Sequence, residues 1–259
     1  MDFAFDLNTA FLCFFAFLAG FIDSIVGGGG LIQTPAMLVF LPHVPIPTLL
    51  GTGKVSGISG TAAALLSYAR KVKINWRTLL PTALTAFVFS FIGARAVSHI
   101  PTSALRPVVF VLLIGVAIYT FIKKDLGALH APKLSPAKEL LCGVLLGIII
   151  GFYDGFFGPG TGSFLIFAFV GIFGFSFLAA SASAKLVNVA TNLSALAYFA
   201  YTGQILYYIG IPMAVCNIVG SQIGSRLAIA KGSGFVRVFF LIIVTVIICK
   251  FAYDSFLKG

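Results

Sequence analysis

Charge is scarce in this sequence: only 9% of its 259 residues are Asp, Glu, Lys or Arg, against about 25% in an ordinary soluble domain. That shortage excludes a large water-soluble globule, which needs a polar skin. Histidine is limited to three residues, His43, His99 and His130, all in loops or at segment ends. Four cysteines (Cys13, Cys142, Cys216, Cys249) lie singly inside apolar runs. Neither set has the spacing of a metal site or a disulfide framework. No P-loop, H-E-x-x-H or strand–helix G-x-G-x-x-G motif occurs. No metal, cofactor or catalytic group is therefore expected. The net charge of +10 does not imply nucleic acid. The Lys and Arg residues are spread between long apolar runs and do not form one wetted basic face.

Apolar residues are abundant, at 59% of the chain, with a mean hydropathy of +1.09. The pattern predicts an all-α polytopic membrane protein. Met1-Asp2-Phe3-Ala4-Phe5-Asp6 is acidic where a signal peptide would be basic. The run from Ala10 is therefore expected to stay as the first membrane segment. Apolar segments follow near 10–26, 31–41, 48–69, 78–98 and 104–122, then near 139–157, 162–178, 180–201, 206–229 and 234–256. A polar stretch at 123–138 separates the two sets and reads as a cytoplasmic linker.

The second set repeats the first at an offset of 131 residues, from Asp23 to Asp154. The same offset relates Gly27 to Gly158, Lys54 to Lys185, Pro81 to Pro212, Gly93 to Gly224, Arg95 to Arg226 and Arg106 to Arg237. Rare residues do not stay in register by chance. Two membrane repeats are expected, 1–122 and 139–259, each of about five transmembrane or re-entrant segments. Five is odd, so the copies should be inverted. Charge placement agrees. If every segment crosses, the loops at 70–77, 123–138 and 226–237 collect Lys and Arg on one face, the cytoplasmic one. Inverted repeats are typical of secondary transporters.

Two Gly-rich breaks stand out, Gly27-Gly28-Gly29-Gly30 and Gly158-Pro159-Gly160-Thr161-Gly162. The segment after the first break has only 11 residues, roughly 17 Å of helix against a core about 30 Å thick. Broken backbone at membrane depth must lie inside protein or line a wet cavity. The breaks should therefore meet, with helix starts near Leu31 and Ser163 aiming unpaired N–H groups at an anion. The expected substrate-binding residues are Gly28, Gly29, Gly30, Gly160, Thr161 and Gly162, with Lys54, Lys185, Asn188 and Asn192 from the next helix of each repeat. Asp23 and Asp154 are candidates to carry a coupling proton, or else to hold the lysines in structural ion pairs. Gly143, Gly147, Gly151 and Gly155, spaced by four, read as a close-packing face. Gly57-Ile58-Ser59-Gly60 matches the G-x-S-G of intramembrane serine proteases. The later repeat has no Ser there, and no His is placed as a base, which argues against a hydrolase.

At these residues the chain resembles the sulfite exporter TauE/SafE family of membrane permeases. The resemblance rests on Gly20-Phe21-Ile22-Asp23 with the glycine run and Leu31-Ile32-Gln33-Thr34-Pro35 after it. It rests also on Gly151-Phe152-Tyr153-Asp154 with its own break, and on the segments around Gly53-Lys54 and Ala184-Lys185-Leu186-Val187-Asn188. It implies export of small sulfur-containing oxyanions, such as sulfite or organosulfonates, across the bacterial inner membrane, without a cofactor. An uptake permease or channel for a related anion is the alternative. Partners would be that anion, the lipid bilayer and a coupling proton.

Overall fold

The computed structural model describes residues 7–105, 108, 111 and 134–256, with side chains described as far as residue 232. Most of the expected fifth segment and of the 123–138 linker lies outside the described residues. Eight helices organise the rest: α1 (Leu7–Val26), α2 (Gly30–Phe40), α3 (Ile46–Ala69), α4 (Trp76–Ser98), α5 (Pro136–Phe156), α6 (Thr161–Gly171), α7 (Phe177–Tyr201) and α8 (Tyr207–Phe256). No strand occurs among the described residues. The last helix changes direction at Gly232, whose φ of 74° is left-handed.

Composition assigns each helix its place. α1, α4, α5 and the Tyr207–Gly232 part of α8 are long and apolar enough to cross a bilayer. Their outer faces expose large apolar side chains: Leu84, Val88 and Ile92 on α4, Leu141, Leu145 and Ile149 on α5, and Ile211, Val215 and Ile223 on α8. A wetted surface would not tolerate such a belt, but hydrocarbon does. α3 and α7 are as long but carry Thr, Ser, Asn and Lys. They form the inner pair, with Thr52, Lys54, Ser56, Lys185, Asn188 and Thr191 all buried. α2 and α6 have 11 residues each, about 16 Å, half the hydrocarbon thickness.

The short length of α6 corrects the expected segment at 162–178. The helix ends at Gly171, and Gly174 takes a left-handed φ of 78°. The chain then folds back so that Phe175 stacks on Phe169, with ring centroids 5.8 Å apart. Hydropathy continues through this turn because the turn itself is buried and aromatic. An apolar run therefore looked like a longer helix.

Closest packing joins the two halves through small residues. A Cβ on Gly155 would meet the Ser90 backbone of α4. Gly143 and Gly147 approach Thr82 and Thr85 in the same way. This is the packing role expected for that glycine series. On the other side of the molecule α1 packs on α8, and the contacts match at the same offset. Gly93 meets the Phe152 backbone while Gly224 meets that of Phe21; Gly151 meets Ala86 while Gly20 meets Asn217. The first helix of each half thus packs on the fourth helix of the other.

Two apolar clusters cap the molecule. One gathers Ile25, Tyr68, Leu79, Phe169 and Phe177 on the side of the exposed basic loop at 70–77. The other gathers Leu12, Met37, Ile46, Val97, Phe157 and Phe199 on the opposite side. Each corresponding pair of helices therefore runs in opposite directions: α3 ends where α7 begins. The polar contacts agree. Thr78 donates to Glu139 at 2.7 Å on the first side, and Ser98 donates to Gln204 at 2.8 Å on the second.

The α4–α5 seam yields a test. Gly155→Leu should cost about 1–3 kcal/mol through overpacking, read as a lower melting temperature in detergent. An unchanged melting temperature would show that the seam yields without penalty.

Candidate functional site

The two Gly-rich breaks are in direct contact. A Cβ on Gly27 would strike Gly162 and Ser163, and one on Gly30 would strike Pro159. Gly27 and Gly158 are equivalent and both left-handed, with φ of 73° and 93°. The next left-handed residue is Gly28 in the first break but Gly160 in the second. Proline at 159 forces this shift, because its ring fixes φ near −65°. α2 and α6 therefore start at Gly30 and Thr161, close to the expected Leu31 and Ser163.

Between the breaks lies a cavity of about 90 Å³. Gly28, Gly29, Gly30, Gly160, Thr161 and Gly162 all line it. Some of their amides are used locally: Gly29 donates to Asp23 Oδ1 at 3.3 Å, and Thr161 donates to the Gly158 carbonyl at 3.1 Å. Those of Gly28, Gly30, Gly160 and Gly162 donate to no protein acceptor among the described residues. Free amides at two helix starts favour negative charge.

Asp23, Lys54, Asp154, Asn188 and Asn192 also line the cavity, and Lys185 does not. Lys185 is fully buried behind Asp23. It donates to the Asp23 backbone carbonyl and to Oδ2 at 2.7 Å. Lys54 makes the equivalent pair with Asp154, at 2.9 Å to the carbonyl and 2.8 Å to Oδ2. Each pair joins one half to the other. Two ammonium groups face two carboxylates, so the formal charges at the site cancel. Ion pairs are formed, but crosswise: each lysine takes the aspartate of the other repeat and not the one that precedes its own break, and each lysine also satisfies a carbonyl at a helix end.

Asn188 is the exception to this satisfaction. It is 5% exposed, and its Oδ1 has no hydrogen-bond partner. A buried, unpaired amide is costly, and here it borders an open space. The equivalent position in the first half is Gly57, where an added Cβ would touch nothing within 4 Å. The cavity is thus walled by Asn188 on one side and left open by Gly57 on the other.

Among the lining residues outside the expected set are two side-chain amides, Gln33 and Asn217. Gln33 donates to the Gly53 carbonyl at 3.1 Å and accepts from Ser56 at 2.9 Å and from Asn217 at 3.4 Å. Both are single amides inside apolar segments, and that signal was available. Their equivalents at the 131-residue offset, Phe164 and Ala86, are apolar, so the repeat pattern did not mark them. Tyr153 closes the second break from behind, donating to the Pro159 carbonyl at 2.6 Å. Ser59 is tied to its own helix, donating to the Val55 carbonyl at 2.8 Å. Arg95 and Arg226 are exposed near helix ends.

Comparison with known proteins fits this geometry. The family model described as "Sulfite exporter TauE/SafE" matches residues 12–251. A Sinorhizobium "Probable membrane transporter protein ORF9" is 40% identical over 93% of this chain and 91% of its own length. A Haemophilus influenzae "Probable membrane transporter protein" is 34% identical over 98% of each chain. The "Probable membrane transporter protein YfcA" of Escherichia coli K12 is 34% identical over 94% of this chain and 89% of its own. No solved structure matches.

The buried pairs make a clear prediction. Lys185→Met leaves the Asp23 carboxylate without its cation and should cost about 3–5 kcal/mol. Lys185→Met with Asp23→Leu should recover most of that. Chemical denaturation in micelles measures both, and equal losses in single and double variants would contradict the pairing.

Proposed function

Because the chain belongs to the sulfite exporter TauE/SafE family of membrane transporters, we propose that it carries small sulfur-containing oxyanions, sulfite or an organosulfonate, outward across a bacterial inner membrane. The observation behind this reading is the cavity itself. Unpaired amides from two broken helices and the Lys54 ammonium converge on a space sized for a compact oxyanion. Such donors match the oxygens of a tetrahedral or pyramidal anion and need no cofactor.

The mechanism proposed is alternating access between two inverted repeats, 1–122 and 139–259, joined by a cytoplasmic linker at 123–138. Helices that correspond at the 131-residue offset run oppositely and exchange equivalent contacts. Such a pair can trade conformations about the central site. In the conformation described, Leu49, Leu50 and Phe157 of the cluster remote from the basic loop line the cavity. No residue of the cluster beside that loop does. With the basic loop cytoplasmic, this is the state closed towards the cytoplasm. Membrane voltage supplies about 2.3 kcal/mol per charge per 100 mV for an anion moving outward.

Uptake, or a channel mechanism, is the rival reading. Counterflow in proteoliposomes separates carrier from channel, because only a carrier exchanges faster than it moves net substrate. The site assignment predicts that Lys54→Gln raises KM for sulfite about ten- to hundredfold, the loss of one charge-assisted hydrogen bond of roughly 1.5–3 kcal/mol. Gly57→Leu should block flux by filling the open wall. If both variants transport as the parent does, the anion binds elsewhere.

A further inference from the structure

The two buried ion pairs are equivalent by sequence offset but not by position. Lys54 and Asp154 both line the cavity, whereas of the other pair only Asp23 does, with Lys185 sealed behind it. Asp23 is also held by Gly29 N–H at 3.3 Å and by Thr61 Oγ at 3.4 Å. Asp154 is bound by Lys54 alone among the hydrogen bonds of its carboxylate. The Asp23 carboxylate is thus held by three donors, and that of Asp154 by Lys54 alone among the described residues.

Building on the transport reading, we propose that Lys54–Asp154 is the coupling element and Lys185–Asp23 a fixed strut, so that one proton travels on Asp154 with each anion. The formal charges around the cavity cancel. An anion that takes Lys54 from Asp154 leaves that carboxylate buried, at 4% side-chain exposure, without a counter-charge. A proton added at Asp154 Oδ2 removes this cost. Lys54 stays an ammonium, keeps its bond to the Asp154 carbonyl and turns one donor to the oxyanion. When the anion leaves, the proton leaves too, and the Lys54–Oδ2 pair forms again. No bond other than O–H is made or broken.

The neighbours of Asp154 allow this. Lys54 is on α3, the neutral Asn188 and Asn192 are on α7, and Tyr153 is on its own helix. Ser90 of the packed α4 donates to the Thr191 carbonyl. Asp23 and Lys185 cancel each other across the cavity. The charge carried then depends on the substrate. A sulfite dianion with one proton moves one net negative charge, and a sulfonate monoanion with one proton moves none.

The test uses the full-length protein in liposomes with imposed potassium-diffusion voltages and pH. For the parent protein, sulfite should reverse as one charge, methanesulfonate flux should ignore voltage, and apparent affinity should fall by up to about tenfold per pH unit as pH rises. Asp154→Asn should make affinity independent of pH and raise the charge per sulfite to two, while Asp154→Glu restores the pH dependence. Asp23→Asn should lower thermal stability, the mark of a strut. An Asp154→Asn protein that keeps the pH profile and the single charge, as carriage of bisulfite would give, overturns the coupling role but leaves anion transport standing. Absence of any sulfite or sulfonate flux in the parent protein overturns the transport reading, and this inference with it.

Discussion

Charge pairing inside a low-dielectric core governs this protein. A lysine or an aspartate alone at membrane depth is strongly disfavoured. Here each lysine of one half finds the aspartate of the other half, at 2.8 and 2.7 Å. Each ammonium also takes up a backbone carbonyl beside a Gly-rich break. The pairs therefore do two things at once: they join the halves, and they tie each lysine to the backbone beside a break. The amides of Gly28, Gly30, Gly160 and Gly162 have no such partner among the described residues, and they line the cavity.

Much of the fold was legible before any coordinates. Segment positions followed from apolar run length, and α1, α3, α4 and α7 lie within a few residues of the expected boundaries. Asp23, Lys54, Asp154 and Lys185 were marked by their charge within apolar segments and by the 131-residue offset that pairs them. What a sequence cannot carry is which partner each residue chooses. Lys54 is closer in the chain to Asp23 than to Asp154, yet it pairs across the molecule, because the halves run in opposite directions. The offset placed Lys185 on a par with Lys54, and only packing separates them: Asp23 stands between Lys185 and the cavity.

Hydropathy also failed where polarity was asymmetric. Gln33 and Asn217 form an amide network on one side of the site, but their repeat equivalents are Phe164 and Ala86. The repeat, the strongest signal available, hid the residues in which the halves differ. The same holds for α6, whose final turn is as apolar as a helix would be. Symmetry finds the shared frame, and departures from it hold whatever is specific to one substrate.

The crossed packing of α1 on α8 and of α4 on α5 bears on how the chain is made. During synthesis the first half enters the membrane before the second exists. Until residue 185 is inserted, Asp23 has no ammonium, and until residue 154 arrives, Lys54 has no carboxylate. The nascent chain must therefore wait in a half-built state, with its breaks wetted, screened by lipid headgroups or held by the insertion machinery. The buried charges of either half are thus matched only once the other half is in place.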